Sequence, residues 1–438
     1  MALKRTYRWQ NWSGTVSCEP HHRSRPLGIE EIQSEVLRCA EEGERLRVVG
    51  SGHSFSPLCY SDENQMSLDD FTGIEAADLE RRRVWVRAGT TLRELGTLLF
   101  ERGLALESLG DIDEQTVAGA ISTGTHGSGL SFGSLSSQVT GLKLVVADGT
   151  VKTLTRDTGA ELLDAAALSL GALGVITHVE LQCVDAYRLH CQSFRAPLEE
   201  TLVRLDEYLH GYRNFEFFWF PYSEIAQIKC MDSTRRPANL WQPAKLASDL
   251  ALENGLMWAL SETARRLPAL SERISRFAAQ RVPVSQSVRD AHQGLATRRL
   301  LRYHQTEYSI PLDRLPMAIR QIDRLISALR FRVHFPLHVS FVKADSLWLS
   351  PSYQRESAYV AVHMYRGMPY EDYFAAVTDI FDRNDGRPHW GKQHDKTAHE
   401  LRSLYPRFDD FRQLRQEMDP RGLFLNPHLA DLFDIQRR

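Results

Sequence analysis

Residues 45–71 read RLRVVGSGHSFSPLCYSDENQMSLDDF. Leu46–Val49 is a short apolar run of strand character, and it leads into Gly50-Ser51-Gly52 and then His53. Glycine lets backbone N–H groups come close to an anion, and consecutive free N–H groups form an anion-binding nest. A histidine directly after such a nest stands beside whatever the nest holds. Ser54, Ser56 and Pro57 keep the chain that follows out of regular structure. Taken alone, the stretch reads equally as an ordinary strand-to-loop turn, because short glycine motifs carry little information. The rest of the chain decides between the two.

A second glycine-rich stretch lies at residues 106–133, LESLGDIDEQTVAGAISTGTHGSGLSFG. Six glycines in 28 residues are too many for a long helix. The expected form is extended loop that runs along a flat or charged ligand without side chains in the way. Around these two stretches the periodicity predicts a helix over residues 29–40, a strand over Val84–Ala88, and a helix opened by Thr91-Leu92-Arg93-Glu94 in a capping-box pattern. Gly141–Ala147, Asp148-Gly149 and Thr150–Leu154 predict a hairpin. No G-x-G-x-x-G lies between a strand and a helix, which argues against a nicotinamide-type fold.

VGSGHSFSPL resembles the flavin-anchoring segment of the sugar-lactone oxidases and alditol oxidases, the group of L-gulonolactone and D-arabinonolactone oxidases in the vanillyl-alcohol-oxidase superfamily. The resemblance implies that Gly50, Ser51, Gly52, His53 and Ser54 cradle FAD, with His53 bonded covalently to the flavin. The second stretch is similar to that family's second FAD segment, with T-G-T-H-G as its marker. By that resemblance Thr116, Gly119, Thr123, Gly124, Thr125 and His126 contact FAD, and Ser108 lies near the flavin ring and substrate. Read on its own, His126 is equally a hydrogen-bonded loop histidine. Gly171–Thr177, GALGVIT, is similar to a segment that closes over the dinucleotide, which implicates Gly174 and Ile176.

Further along, Asn214–Tyr222 is an aromatic run that reads as a core strand and is also similar to an aromatic segment of the family's substrate domain. Glu307–Pro311, the run ADSLWLSP over residues 344–351, His389-Trp390-Gly391-Lys392 and the tail from Tyr405 to Leu429 each resemble family segments. The resemblance implies that His389 belongs to the cofactor site and that Lys392 is the positive charge beside the flavin. His363 matches a family site histidine. Where the family carries E-x-R, however, this chain has His338 and Ser340, and the position of the alditol oxidases' substrate-binding threonine is Tyr365. An imidazole and a hydroxyl replace a charged, bidentate clamp, so the resemblance carries the flavin site over but does not fix a standard aldonolactone or alditol as the substrate. His338 reads equally as a core histidine. His334 and His338 have H-x-x-x-H spacing, but Pro336 breaks the helix a metal pair would need, and no metal is expected.

The chain has 438 residues, a net charge of −3 and six cysteines without metal or C-x-x-C spacing. No broad basic field points to nucleic acid, and no run approaches the ~20 apolar residues of a membrane span. The polar N-terminal stretch lacks a signal core, and the expected location is cytoplasmic. The expected fold class is α+β, a two-domain vanillyl-alcohol-oxidase-type fold. Residues 1–184 form the FAD-binding part, 185–386 a substrate (cap) domain on an antiparallel sheet, and 387–438 a return to the FAD domain. Ala247–Arg266 reads as an amphipathic helix that docks on a partner or closes the site.

The expected activity is FAD-dependent oxidation of an alcohol on a sugar lactone, polyol or related hydroxylated small molecule. Lys392, His338, His363, Ser108, Ser340 and Tyr365 are the catalytic candidates, and oxygen is the acceptor, giving hydrogen peroxide. The alternatives are a dehydrogenase with another electron acceptor and a non-catalytic flavin-binding or redox-sensing protein.

Overall fold

The computed structural model describes residues 7–238, 243–296 and 301–436. Side chains of residues 243–254 lie outside the described residues, including Asp249 and Glu253, two of the polar positions in the predicted amphipathic helix. The helix itself spans Pro243–Arg266.

Three sheets organise the molecule. A parallel three-stranded sheet has the order His22–Ser24, Asn64–Ser67, Leu46–Val49. The helix Ile29–Glu42 precedes its edge strand and buries Ile32, Val36 and Cys39. An antiparallel five-stranded sheet contains Val139–Val145 at its hairpin with Val151–Thr155, then Val175–Gln182, Arg83–Arg87 and Ile74–Asp78. The third sheet has eight strands and is antiparallel throughout. Its central order is Ile225–Thr234, Asn214–Trp219, Leu337–Val342, Ser357–Tyr365, Tyr303–Pro311.

Two apolar cores follow from this layout. One joins residues 32–183 to Leu347–Leu349 and to residues 390–433. The other lies on one face of the eight-stranded sheet, where Phe217, Val339, Phe341, Val360 and Ile310 meet Ile319, Ile322, Val377 and Phe381 from two helices. Successive strand residues point to opposite faces. The residues between these, Glu216, His338, Ser340, Ala361 and Glu307, therefore turn to the other face, away from that core.

The sequence expectations differ from the structure at the second glycine stretch, which is not loop throughout. Val117–Ser122 is a short helix, capped by Thr116 Oγ1 accepting from Gly119 N (3.3 Å). The run TVAGAIS has a capping threonine and three apolar residues on one side, enough to close a turn and a half against the core. At Thr91 only half of the capping box forms, the bond from Glu94 N to Thr91 Oγ1 (3.2 Å).

Three buried histidines set an acid limit on the fold. Burial holds His178 and His334 at about 4 and His389 at about 3. Their folded pKa values lie below the unfolded value near 6.5, so the unfolded chain binds more protons between these limits. Stability is therefore full above pH 6.5 and falls as the pH drops toward 4. Urea denaturation at pH 7.0 and 5.0 checks this, with a lower midpoint expected at pH 5.0.

Candidate active site

Three chain segments converge at the junction of the two cores. Phe55 N donates to Gly391 O (2.7 Å) and Ser56 Oγ to Trp390 O (2.8 Å), tying the first glycine loop to the late motif. His389 N donates to Glu307 O (2.9 Å) and Gln393 N to Gln305 O (3.1 Å), so the same late segment runs beside the strand Tyr303–Pro311. The second glycine stretch is stitched to the eight-stranded sheet as well. Gly129 N donates to Phe341 O (2.8 Å), and Asn214 Nδ2 donates to Ser128 O (2.7 Å).

Between these segments lie two cavities that share His53, Ser54, Gln115 and Thr123 in their walls. The first is walled by residues 47–54, by Thr116, Gly119 and Ser122, and by Gly171, Gly174 and Ile176. The two glycine stretches cross here. A Cβ on Gly50 would lie 2.3 Å from Thr116 Oγ1, so no larger residue fits. The second cavity is floored by the polar face of the eight-stranded sheet and walled by Trp12, Phe55, Tyr303, His126, His389 and Lys392. Together they form a two-lobed groove, one lobe lined by glycine-rich backbone and the other by titratable and aromatic side chains. Such a groove suits a dinucleotide whose phosphates sit at the first glycine turn and whose ring reaches the second lobe.

His53 stands where the lobes meet. Its ring stacks on Trp12 (centroids 5.6 Å) and its Nε2 lies 3.6 Å from Glu114 Oε2. Burial lowers its pKa. The backbone N–H of Trp12 donates to Gly52 O (2.8 Å), which holds the residue beside the loop.

In the second lobe, Lys392 Nζ donates to Gln305 Oε1 (2.9 Å), lies 3.4 Å from Glu307 Oε2 and sits over the Phe55 ring (5.4 Å). Burial pushes the Glu307 carboxyl up, but Lys392 and His126 outweigh it and hold the group well below the usual carboxylate range. His126 Nε2 approaches Glu307 Oε1 at 3.5 Å. Gly391 N donates to His389 Nδ1 (3.0 Å), which puts the ring proton of neutral His389 on Nε2. His126, Glu307 and His389 bring their polar atoms within 4.8 Å of one another.

On the floor, His338 Nε2 and Glu216 Oε2 are 2.8 Å apart, and the His338 ring stacks flat on Phe218 (4.3 Å, 4°). Ser340 Oγ is buried and makes no hydrogen bond among the described residues. It offers an open donor and acceptor to a ligand.

The structure thus brings His53, Ser54, Thr123, Thr125, His126, His338, Ser340, His389 and Lys392 to the second lobe, and Gly50, Ser51, Gly52, Thr116, Gly119, Gly174 and Ile176 to the first. It does not bring every predicted residue to a cavity wall. Ser108 lies behind Gly127, where an added Cβ would meet Ser108 Oγ at 2.8 Å. His363 is held by the Pro336 carbonyl (3.0 Å from Nδ1) and packs edge-on against Tyr303 (5.0 Å), so Tyr303 stands at the wall in its place. Tyr365 donates its hydroxyl to Glu262 Oε1 (2.9 Å), tying the sheet to the helix Pro243–Arg266. Gly124 is a turn residue with φ +73° behind the wall.

Sequence reasoning missed Glu216, Gln305, Glu307 and the aromatic wall as site residues. The signal was present: Glu216 is the lone carboxylate in NFEFFW, and Gln305 and Glu307 alternate with Thr306 and Tyr308 on the strand. Polar side chains at every second position of a strand mark a face that is not core.

A sequence profile described as "D-arabinono-1,4-lactone oxidase" matches residues 179–432, and one described as "FAD binding domain" matches residues 20–155. The chain is 38% identical over 423 residues to "L-gulono-1,4-lactone dehydrogenase" of Mycobacterium tuberculosis, covering 96% of this chain and 97% of the relative. It is 33% identical over 435 residues to "L-gulonolactone oxidase" of Mus musculus, with 97% and 98% covered. A structure titled "Solvent-stable cholesterol oxidase" superposes with a TM-score of 0.80 at 18% identity, over 98% of this chain and 97% of that one. That likeness shows the same overall fold.

Proposed function

Because the chain belongs to the D-arabinono-1,4-lactone oxidase family and carries an FAD-binding domain, we propose that it oxidises an alcohol group of a sugar lactone in the second lobe. The observation that carries this is the two-lobed groove whose lobes meet at His53. FAD, held by residues 50–54, 116–126 and 174–176, supplies the acceptor for two electrons. His53 is the covalent anchor. Residues 1–184 with 387–438 hold the cofactor, and residues 185–386 hold the substrate.

The protein's own groups position the lactone and handle its proton. Lys392 places a positive charge where negative charge develops. His338, Ser340 and Gln305 bind hydroxyls, and His338 takes the proton of the reacting one. The aromatic wall of Trp12, Phe55 and Tyr303 covers the C–H face of the ring. Oxygen is the final acceptor, with hydrogen peroxide as the product. Free thiols at Cys18, Cys39, Cys59, Cys183, Cys191 and Cys230 suit a reducing compartment such as the cytoplasm.

Anaerobic mixing of the purified yellow protein with L-gulono-1,4-lactone or D-arabinono-1,4-lactone tests the reading. Bleaching near 450 nm is expected, and a spectrum unchanged by both lactones would refute it. Admitting air then separates an oxidase, which regains colour and yields peroxide, from a dehydrogenase, which needs an added acceptor. Denaturing gels under ultraviolet light test the anchor: fluorescence is expected to stay with the wild-type chain and to vanish in His53→Ala.

A further inference from the structure

We propose that Glu216 is the positioning residue of a carboxylate–imidazole pair in which His338 accepts the proton of the reacting hydroxyl through Nδ1. This deepens the function proposed above and rests on it.

The pair is built by sheet register. The strands Asn214–Trp219 and Leu337–Val342 align Phe217 with Val339, Phe218 with His338 and Trp219 with Leu337. Phe217 and Val339 point into the apolar core, so Glu216, Phe218, His338 and Ser340 share the opposite face. Glu216 falls diagonally beside His338, and both side chains line the second lobe. Their contact is 2.8 Å, between Oε2 and Nε2. Phe218 packs flat beneath the imidazole and fixes its plane.

The contact decides the tautomer. A carboxylate only accepts, so the imidazole proton of the resting pair lies on Nε2 and Nδ1 keeps its lone pair. Among the described residues Nδ1 makes no hydrogen bond, and His338 lines the cavity. Glu216 is anchored in turn by Lys229, whose Nζ lies 3.5 Å from Oε1 and over the Phe218 ring at 4.5 Å. Other charged groups at this lobe are Asp111 on the second glycine stretch and Glu307 and Lys392 on the neighbouring segments.

The step balances. The substrate O–H bond breaks and an Nδ1–H bond forms. The hydrogen on the same carbon leaves with its electron pair to the FAD that the family carries, and the C–O bond becomes C=O. The imidazolium so formed is paired with Glu216 and gives its proton to water when product leaves. This arrangement also accounts for the missing E-x-R pair. The carboxylate comes from the neighbouring strand, one register step away.

The test uses holoenzyme, with the FAD-to-protein ratio confirmed equal in all variants. In Glu216→Gln, kcat with L-gulono-1,4-lactone is expected to fall at least 30-fold. Affinity for a deoxy-lactone lacking the reacting hydroxyl, read from the flavin absorbance perturbation, is expected to stay within 3-fold of wild type. Glu216→Asp is expected to restore part of kcat. His338→Ala is expected to lose activity, to regain some with added imidazole, and to lose little more when combined with Glu216→Gln. Wild-type kcat in Glu216→Gln, or a loss of analogue affinity that matches the loss in kcat/KM, would overturn the pair. Lactone bleaching of the wild-type flavin is a separate readout, so failure of the pair is distinguishable from failure of the function.

Discussion

Replacing Lys392 with methionine is expected to lower kcat for lactone oxidation about a thousand-fold, the range seen when one preorganised charge is removed from a reaction centre. Lys392 is the cation at the wall of the second lobe, fixed by Gln305 Oε1 at 2.9 Å and Glu307 Oε2 at 3.4 Å. Electron transfer to FAD builds negative charge nearby, and a charge already oriented by its neighbours costs no reorganisation as that happens. Removal also leaves the buried Glu307 without its main counter-charge. Part of the loss would then come from a protonated or displaced Glu307, and Lys392→Arg separates the two effects. Arginine keeps the charge, and it is expected to recover one to two orders of magnitude in single-turnover bleaching rates. A methionine variant that bleaches at the wild-type rate would remove Lys392 from the chemistry.

Arg47→Met is expected to cost about 3 kcal/mol or more in stability and to loosen the cofactor groove. Arg47 lies in the strand Leu46–Val49, 3% exposed, and its guanidinium is spent on backbone carbonyls: Leu58 O at 3.0 Å, Leu170 O at 3.0 Å, Gly171 O at 3.1 Å and Phe424 O. No carboxylate pairs with it among the described residues, and burial lowers its pKa. Leu58 O keeps a second donor in Asn426 Nδ2 (3.2 Å), but Leu170 O, Gly171 O and Phe424 O are stranded. Each stranded carbonyl costs roughly 1–3 kcal/mol, so the three reach about 3 kcal/mol even at the low end. That is a large share of the 5–15 kcal/mol typical of a folded domain. Because the carbonyls of Leu58, Leu170 and Gly171 come from segments that shape the first lobe, the groove loosens along with the fold. Thermal unfolding followed by flavin fluorescence checks this, with a much lower midpoint expected. An Arg47→Met protein with an unchanged midpoint would contradict it.

Much of this was legible in the chain itself. The strand Leu46–Val49 and its glycine turn, the hairpin at Asp148-Gly149, and the strand Leu337–Val342 carry local signals strong enough to survive in the fold. So do the residues that the glycine stretches bring to the groove, because their placement depends on backbone that only glycine permits. What could not be read locally was the meeting of distant strands. Glu216 and His338 are separated by 122 positions and meet through sheet register. Nothing in NFEFFW alone says which strand lies beside it. Tyr365 and His363 share a strand with residues of the polar face, yet their rings are taken up by Glu262 and the Pro336 carbonyl. Alternation gives the face of a sheet, while the partner that claims a side chain depends on the loop or helix packed above it.

The end of the chain closes onto its beginning. Leu46 N donates to Leu423 O (2.8 Å), Arg47 reaches Phe424 O, and Asn426 Nδ2 donates to Pro57 O, Leu58 O and Tyr60 O. A ribosome makes these partners last, some 370 residues after the strand they complete. The nascent protein therefore carries the floor of its nucleotide groove unlatched until residues 423–426 have been made. A polypeptide stopped before residue 423 would contain every glycine of the groove and still lack the groups that latch it.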